Sequence, residues 1–194
     1  MNAVHEKVEI RRRKNIQFRK DYHDYLPELR EDFFCSCGYC GKKENITRNG
    51  FEIDHLIPVS LWENGKLDYQ NLVYSCFTCN RKKANKFPMK PSLTLHNDEI
   101  GILDPATSEY GEHIKRDAVG NIIGITMLGN YICEHVFSFH LRPMSTIYKL
   151  SELKNKLDNI LNNPNEFVMR NFEQIKDMVD KINELDRLIF ESKE

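Results

Sequence analysis

The chain has 194 residues, which is enough for one compact domain or for one domain with an appendage. Hydrophobic residues make up 40% of it and charged residues 29%, so a largely disordered chain is excluded. The net charge of −1 gives no overall attraction to nucleic acid, and any binding surface has to come from local clusters of basic residues. The first residues lack the apolar stretch of a secretory signal, and no apolar run is long enough to cross a membrane. We therefore expect a cytoplasmic protein without a membrane partner.

Residues 1–34 form the first segment, which we predict to be a basic N-terminal helical arm. Basic residues follow one another at 11–14, and apolar residues are interspersed among the charged ones. Pro27 favours the start of a second short helix, because proline suits the first turn of a helix. We expect the apolar residues to dock this arm on the rest of the protein.

Residues 35–90 form the second segment, which contains most of the cysteines. Two CxxC pairs lie in it: Cys37 with Cys40, and Cys76 with Cys79. A tight turn lets the thiolates of such a pair occupy neighbouring corners of a tetrahedron, so the two pairs predict a structural zinc site. The alternatives are a redox CxxC or unrelated cysteine turns, but matched pairs in a reducing compartment favour a metal. Cys35 could replace Cys37 as a ligand, whereas Cys133 lies far along the chain and is predicted to be a buried apolar residue.

Polar residues suited to hydrolysis lie between these pairs and directly after them. Asp54 and His55 stand together, Asn71 follows, and Asn80 comes immediately after the last cysteine. An imidazole has the pKa best suited to a general base near neutral pH. Carboxylate and amide oxygens are hard donors that suit Mg²⁺ or Mn²⁺ and are poor zinc ligands. The residues that follow form a basic cluster of the kind that contacts nucleic-acid phosphates: Arg81, Lys82, Lys83 and Lys86.

Residues 37–86 closely resemble the HNH endonuclease family. In that family two cysteine knuckles frame an Asp-His pair and a middle asparagine, and the second knuckle is followed by His or Asn and then by Lys. The resemblance implies a ββα-metal core in which His55 is the general base and Asp54 and Asn80 hold a catalytic Mg²⁺ or Mn²⁺. Asn71 matches the asparagine that steadies the hairpin and orients the base. Asn80 stands where the family name has a histidine, which favours magnesium over zinc.

The function that this resemblance implies is metal-dependent hydrolysis of DNA phosphodiester bonds. Lys83 matches a position that faces phosphate, and the neighbouring basic residues would add contacts to the backbone. Two alternatives stay open from the sequence. The segment could be a catalytically inactive zinc-ribbon module that binds nucleic acid or serves as a scaffold, or it could be a toxin-like nuclease that acts on RNA.

Residues 91–143 form a turn-rich third segment. Gly120 and Asn121 lie between short apolar runs and predict a β-hairpin. Residues 103–142 also resemble, more loosely, the tail of a bacterial HNH subfamily found in retron and Septu antiphage defence systems. This second resemblance implies an effector role in defence or restriction and an ATPase partner protein.

Residues 144–194 form the last segment. Apolar residues recur at steps of three and four over 147–160 and again over 172–189, with a break at 162–165. The pattern predicts two antiparallel amphipathic helices whose apolar face is core or a partner interface, such as a homodimer contact. The expected fold is therefore α+β, with a ββα-metal HNH core, a four-cysteine zinc knot, mainly helical flanks and a C-terminal helical hairpin.

Overall fold

The structure, a computed structural model, describes residues 1–5, 9–47, 49–90, 92–162 and 172–190. The fold is α+β, as the sequence predicts, with two small antiparallel sheets and helices around them. None of the described helices is long and apolar enough to cross a membrane.

The elements have the following bounds. The strands are β1 (Asn2–Ala3), β2 (Phe51–His55), β3 (Leu72–Cys76), β4 (Ile114–Arg116) and β5 (Ile122–Gly124). The helices are α1 (Leu26–Asp32), α2 (Phe77–Lys83), α3 (Tyr110–His113), α4 (Met127–Tyr131), α5 (Met144–Asn162) and α6 (Phe172–Phe190). Short 3₁₀ helices at Tyr22–Tyr25, Glu63–Lys66 and Tyr69–Asn71 lie close to the central hairpin.

The centre of the molecule is the hairpin of β2 and β3, followed without a loop by α2. In this antiparallel pair Asp54 lies opposite Val73 and His55 lies opposite Leu72. Every residue of β3 is buried, because α1 packs on this strand and α2 contacts both strands of the hairpin. The result is the ββα unit that the sequence predicts.

The second sheet consists of β1, β4 and β5, with β4 in the middle. β4 and β5 form the hairpin predicted at Gly120, and this glycine has a φ of +98°. A Cβ atom at Gly120 would lie 2.4 Å from a ring atom of Tyr148, so the turn requires glycine both for its conformation and for space. The predicted hairpin is confirmed, and β1 joins the first residues of the chain to it.

The first segment differs from the predicted helical arm, because residues 9–20 contain no helix. The side chain of Arg12 reaches inward, where Nε donates to the Leu72 carbonyl at 2.6 Å and the guanidinium forms two hydrogen bonds with Asp104, at 2.7 and 2.9 Å. Arg13 binds Asp32 on α1 instead, at 2.8 Å. These contacts hold Arg12 and Arg13 to different elements of the fold in a segment that is not helical.

The C-terminal segment contains the two predicted helices, α5 and α6, which pack against each other. Ile147 at the start of α5 and Ile189 at the end of α6 line the same cavity, and Lys154 forms an ion pair with Asp186 at 3.6 Å. These contacts are those of an antiparallel pair. Of the break predicted at 162–165, residues 163–165 lie outside the described residues.

Candidate active site

A cluster of four cysteines links the start of the core to its end. The sulfur atoms of Cys37, Cys40, Cys76 and Cys79 lie within 4.8 Å of one another, and all four residues are buried. The Sγ atoms of Cys40 and Cys76 are 3.8 Å apart. Tetrahedral zinc with Zn–S bonds of about 2.3 Å places its sulfurs about 3.8 Å apart, so the geometry fits zinc. Cys35 lies outside the cluster, which leaves Cys37 as the ligand, and Cys133 is a separate buried thiol, as predicted.

The turn of the first knuckle depends on its glycines. A Cβ atom at Gly38 would lie 2.6 Å from the ring of Phe33, and Gly41 has a φ of +67°. On the other side of the cluster the Nη1 atom of Arg142 lies 3.3 Å from the Sγ atom of Cys79. A guanidinium at this distance stabilises the thiolate form, which is the form that binds metal.

His55 lies at the end of β2 and keeps part of its ring exposed. Its Nε2 atom is 3.0 Å from the carbonyl oxygen of Lys66. Because a carbonyl only accepts hydrogen bonds, Nε2 carries the proton and Nδ1 keeps its lone pair. Burial lowers the pKa of His55, which favours the neutral imidazole at neutral pH. The ring is thus prepared to accept a proton through Nδ1.

Asn71 is buried and binds the segment that follows this histidine. Its Oδ1 accepts a hydrogen bond from the Ile57 N–H at 2.8 Å. Its Nδ2 donates to the carbonyl oxygens of Ile57, at 3.0 Å, and of Gly65, at 3.1 Å. Gly65 precedes Lys66, whose carbonyl binds His55. Asn71 therefore joins the segment after β2 to the turn that orients the imidazole.

Asp54 points into the protein and has two hydrogen-bonding partners there. The Tyr39 hydroxyl donates to its Oδ2 at 2.6 Å, and the Nζ atom of Lys83 lies 3.1 Å from the same oxygen. Lys83 also donates to the His55 carbonyl at 2.6 Å. Burial raises the pKa of Asp54, whereas the lysine charge and the tyrosine hydrogen bond lower it.

The position of Lys83 corrects the role predicted for it. Its side chain has 0% exposure. A lysine that faces phosphate needs an exposed ammonium group, and this one is enclosed beside a carboxylate. It lies four residues after Cys79 and therefore on the same, inner face of α2, which packs on the hairpin. In this structure Lys83 is the counter-ion of Asp54.

Asn80 and Glu52 meet across the gap between α2 and β2. The Nδ2 atom of Asn80 donates to Glu52 Oε2 at 2.5 Å, which leaves the amide oxygen of Asn80 available as an acceptor. Both residues line a cleft of about 350 Å³ together with Tyr22, His23 and Arg81. His55 stands beside this active-site cleft, since its ring contacts that of Tyr22 with the centroids 4.7 Å apart. The structure thus brings Asn80 next to a carboxylate, Glu52, that the sequence analysis had not selected.

Residues 37–86 match the family model described as HNH endonuclease. We call this matched segment the HNH domain. The matched segment begins at the first knuckle, contains β2, β3 and α2, and ends at Lys86. Searches of curated proteins and of solved structures found no match for the chain.

The four basic residues predicted to bind phosphate divide into two groups in the HNH domain. Arg81 and Lys82 are exposed on α2, although Arg81 also approaches Glu52 at 3.3 Å. Lys86 donates to the carbonyls of His135 and Val136, at 2.8 and 3.0 Å, and so holds the domain to the segment that follows. Of this cluster, Arg81 and Lys82 present their charges to solvent.

The oxygen donors of the HNH domain suit a hard divalent cation. Glu52 and Asp54 are two residues apart on β2 and so lie on the same side of the strand, and Asn80 on α2 contacts Glu52. The two-residue spacing between Glu52 and Asp54 on a predicted strand is the signal in the sequence that could have identified Glu52 as a site residue. Two carboxylates and an amide oxygen form a set typical of Mg²⁺ or Mn²⁺ and poor for zinc. The donor chemistry of Glu52 and Asn80 fits such an ion, whereas Asp54 is bound to Lys83 and Tyr39 in this structure.

Proposed function

We propose that this protein is a metal-dependent endonuclease that hydrolyses DNA phosphodiester bonds, with His55 as the general base. The observation that carries the proposal is the hydrogen bond from His55 Nε2 to the Lys66 carbonyl, because it leaves Nδ1 as a proton acceptor beside the active-site cleft. The HNH domain supports a nuclease activity in general. The choice of DNA rests on the resemblance of residues 37–86 to DNA-cleaving members of that family.

In the proposed mechanism, His55 Nδ1 takes a proton from the water that attacks phosphorus, the bond from phosphorus to the 3′ oxygen breaks, and the leaving oxygen takes a proton from solvent. The imidazolium that forms is stabilised by the Lys66 carbonyl, which already accepts the Nε2 proton. Asp54 and Asn80, with Glu52 beside them, would hold Mg²⁺ or Mn²⁺, which when bound supplies positive charge to the phosphate oxygens. Arg81 and Lys82 bind the flanking backbone through their exposed charges.

We assign a structural zinc ion to the four-cysteine cluster. Four sulfur ligands leave no position for a water molecule, so this metal stabilises the fold and takes no part in hydrolysis. It connects the residues before β2 to the junction of β3 and α2, and it thereby holds His55 and Asn80 in one place. Reduced thiols are needed for this site, which supports a cytoplasmic location.

A role in bacterial antiphage defence or restriction, together with an ATPase partner, is a finer proposal that rests on the resemblance of residues 103–142. Exposed apolar side chains on α6 support a partner surface or a homodimer contact there. Val179 is 38% exposed and Leu188 is 54% exposed. Size-exclusion chromatography of the full chain tests the dimer, and a strictly monomeric profile would contradict it.

The proposed function is tested by incubating the zinc-loaded protein with supercoiled plasmid and with a structured RNA, in Mg²⁺, in Mn²⁺ and without an added divalent ion. We expect nicked or linear plasmid only when Mg²⁺ or Mn²⁺ is present, and little loss of RNA. Cleavage of RNA alone would identify the ribonuclease. Binding of plasmid without cleavage in either metal would identify the inactive nucleic-acid-binding module.

A further inference from the structure

A second cavity, of about 460 Å³, lies beside α2 and the four-cysteine cluster. We call it the basic cavity, because Lys42, Lys82 and Arg142 all line it. No aspartate or glutamate is found among the described residues that line it. Three cations around one cavity without an acid make an environment that favours an anion.

Lys42 is the unusual member of this set. The residue is only 9% exposed, its Nζ atom is not sealed from solvent, and its side chain has no hydrogen bond or ion pair with any described part of the chain. A lysine that is nine-tenths buried is normally paired, because burial of an uncompensated charge is unfavourable. The described hydrogen bond to a sulfur of the cysteine cluster comes from Arg142 and not from Lys42. The ammonium group of Lys42 has no partner in the described chain and reaches solvent, so an anionic ligand in the basic cavity can bind it.

The basic cavity and the active-site cleft lie on different faces of α2. Thr78 and Lys82, which are four residues apart and so share one face of the helix, line the basic cavity. Asn80 and Arg81 line the active-site cleft instead. The two sites have no described lining residue in common. This separation makes the basic cavity a distinct site from the one that holds the reacting phosphate.

The other wall of the basic cavity is apolar. Phe77 and Leu141 line it and are 40% and 74% exposed, and the guanidinium of Arg81 lies 4.9 Å from the centre of the Phe77 ring. A ligand that matches both walls carries a phosphate and a flat, apolar ring. Nucleotides have this chemistry, because their phosphates bind lysine and arginine and their bases stack on aromatic side chains.

We propose that the basic cavity binds a nucleotide, with its phosphate at Lys42, Lys82 and Arg142 and its base against Phe77 and Leu141. The nucleotide has two sources: it is either free in solution or part of the DNA strand that flanks the cleavage point. The second source rests on the proposed nuclease function, whereas the first does not.

The test uses full-length protein that carries His55→Ala, so that a DNA duplex stays intact. Binding of dAMP is followed by calorimetric titration, and binding of a short DNA duplex is followed by fluorescence anisotropy over a range of salt concentrations. Lys42→Met keeps the length of the buried side chain and removes its charge. Lys149→Met is the matched control, because it removes an exposed lysine of α5 that lines neither cavity.

If the ligand is a free nucleotide, we expect Lys42→Met to weaken dAMP binding about tenfold or more and Lys149→Met to leave it unchanged. If the ligand is instead a nucleotide of the DNA substrate, we expect Lys42→Met to weaken duplex binding about tenfold. The slope of log affinity against log salt concentration should then fall by about one. If Lys42→Met changes neither affinity, the proposal is wrong even when the plasmid assay shows cleavage. If dAMP binding depends on Lys42 but the protein cleaves no plasmid, the nucleotide site is supported and the proposed nuclease function is contradicted.

Two measurements guard against a folding defect in the variant. Zinc content and melting temperature are compared between the parent and Lys42→Met, and both are expected to stay close to the parent values. If they do not, Lys82→Ala replaces it in the same titrations, because Lys82 is exposed on α2 and its loss leaves no buried gap. The same fall in affinity is expected, and an unchanged affinity for both ligands would contradict the proposal.

Discussion

The buried pair of Lys83 and Asp54 gives the sharpest prediction about the HNH domain. Lys83→Met keeps most of the volume of the side chain and removes its charge. Lys83 is 0% exposed and Asp54 is 7% exposed at their side chains, so solvent screens their interaction weakly. Removal of one partner from a buried ion pair leaves the other charge without compensation, which costs about 3–5 kcal/mol. We expect a loss of this size in the free energy of unfolding.

Urea denaturation measured over a range of pH is the assay. Without Lys83 the pKa of Asp54 rises further, because burial then acts without the opposing lysine charge. A carboxyl whose folded-state pKa is raised stabilises the fold below its unfolded pKa and loses that contribution as pH rises through the folded pKa. The penalty of Lys83→Met is therefore expected to be largest at neutral pH and to shrink in mild acid.

Two further variants test whether the loss of stability comes from the uncompensated charge of Asp54. Tyr39→Phe removes one hydrogen bond to Asp54 and should cost less, about 1–3 kcal/mol. The double variant Lys83→Met with Asp54→Leu should regain much of the stability, because it removes both charges. A Lys83→Met protein with nearly unchanged stability, but with a salt slope for DNA binding lowered by about one, would show that Lys83 faces phosphate after all.

The remaining predictions concern the elements around the site. Asn71→Asp keeps the acceptor for Ile57 N–H but loses the amide donors, so we expect lower plasmid cleavage and a loss of about 1–3 kcal/mol in urea denaturation. Zinc analysis of the purified variants should show that Cys37→Ser loses the metal and its cooperative melting, while Cys35→Ser keeps both; zinc retained by Cys37→Ser would contradict the ligand assignment. Burial lowers the pKa of His5 from 6.5 to about 4, so the folded state loses stability when this side chain has to be protonated. The free energy of unfolding should be unaffected by His5 above pH 6.5 and should fall by up to about 3 kcal/mol as the pH is lowered from 6.5 to about 4. Denaturation curves of His5→Gln should lack this component, and an identical pH profile for parent and variant would refute it.

The parts of the fold that were predictable are those whose pattern is local. The CxxC spacing identifies Cys37 and Cys40 as metal ligands because the turn that joins them is only four residues long. Gly120 identifies its hairpin, and the regular apolar spacing identifies α5 and α6, for the same reason. Each of these signals is contained within one element or one turn.

The parts that were not predictable depend on partners far along the chain. Arg12 lies in a basic run that is typical of an exposed face, and its burial follows from Asp104, 92 residues away. The burial of Lys83 depends on Asp54, on another element, so a helix pattern alone does not distinguish an inward lysine from an outward one. Glu52 gained a role only when the hairpin placed it opposite Asn80.

The central claim, that His55 is the base of a metal-dependent nuclease, is tested most directly by the initial rate of plasmid nicking. The rate is measured with saturating Mg²⁺ for the parent, for His55→Ala and for Lys149→Ala, each with its zinc content determined. We predict that His55→Ala loses at least about 100-fold in rate while Lys149→Ala keeps the parent rate. Cleavage by His55→Ala at the parent rate would contradict the account.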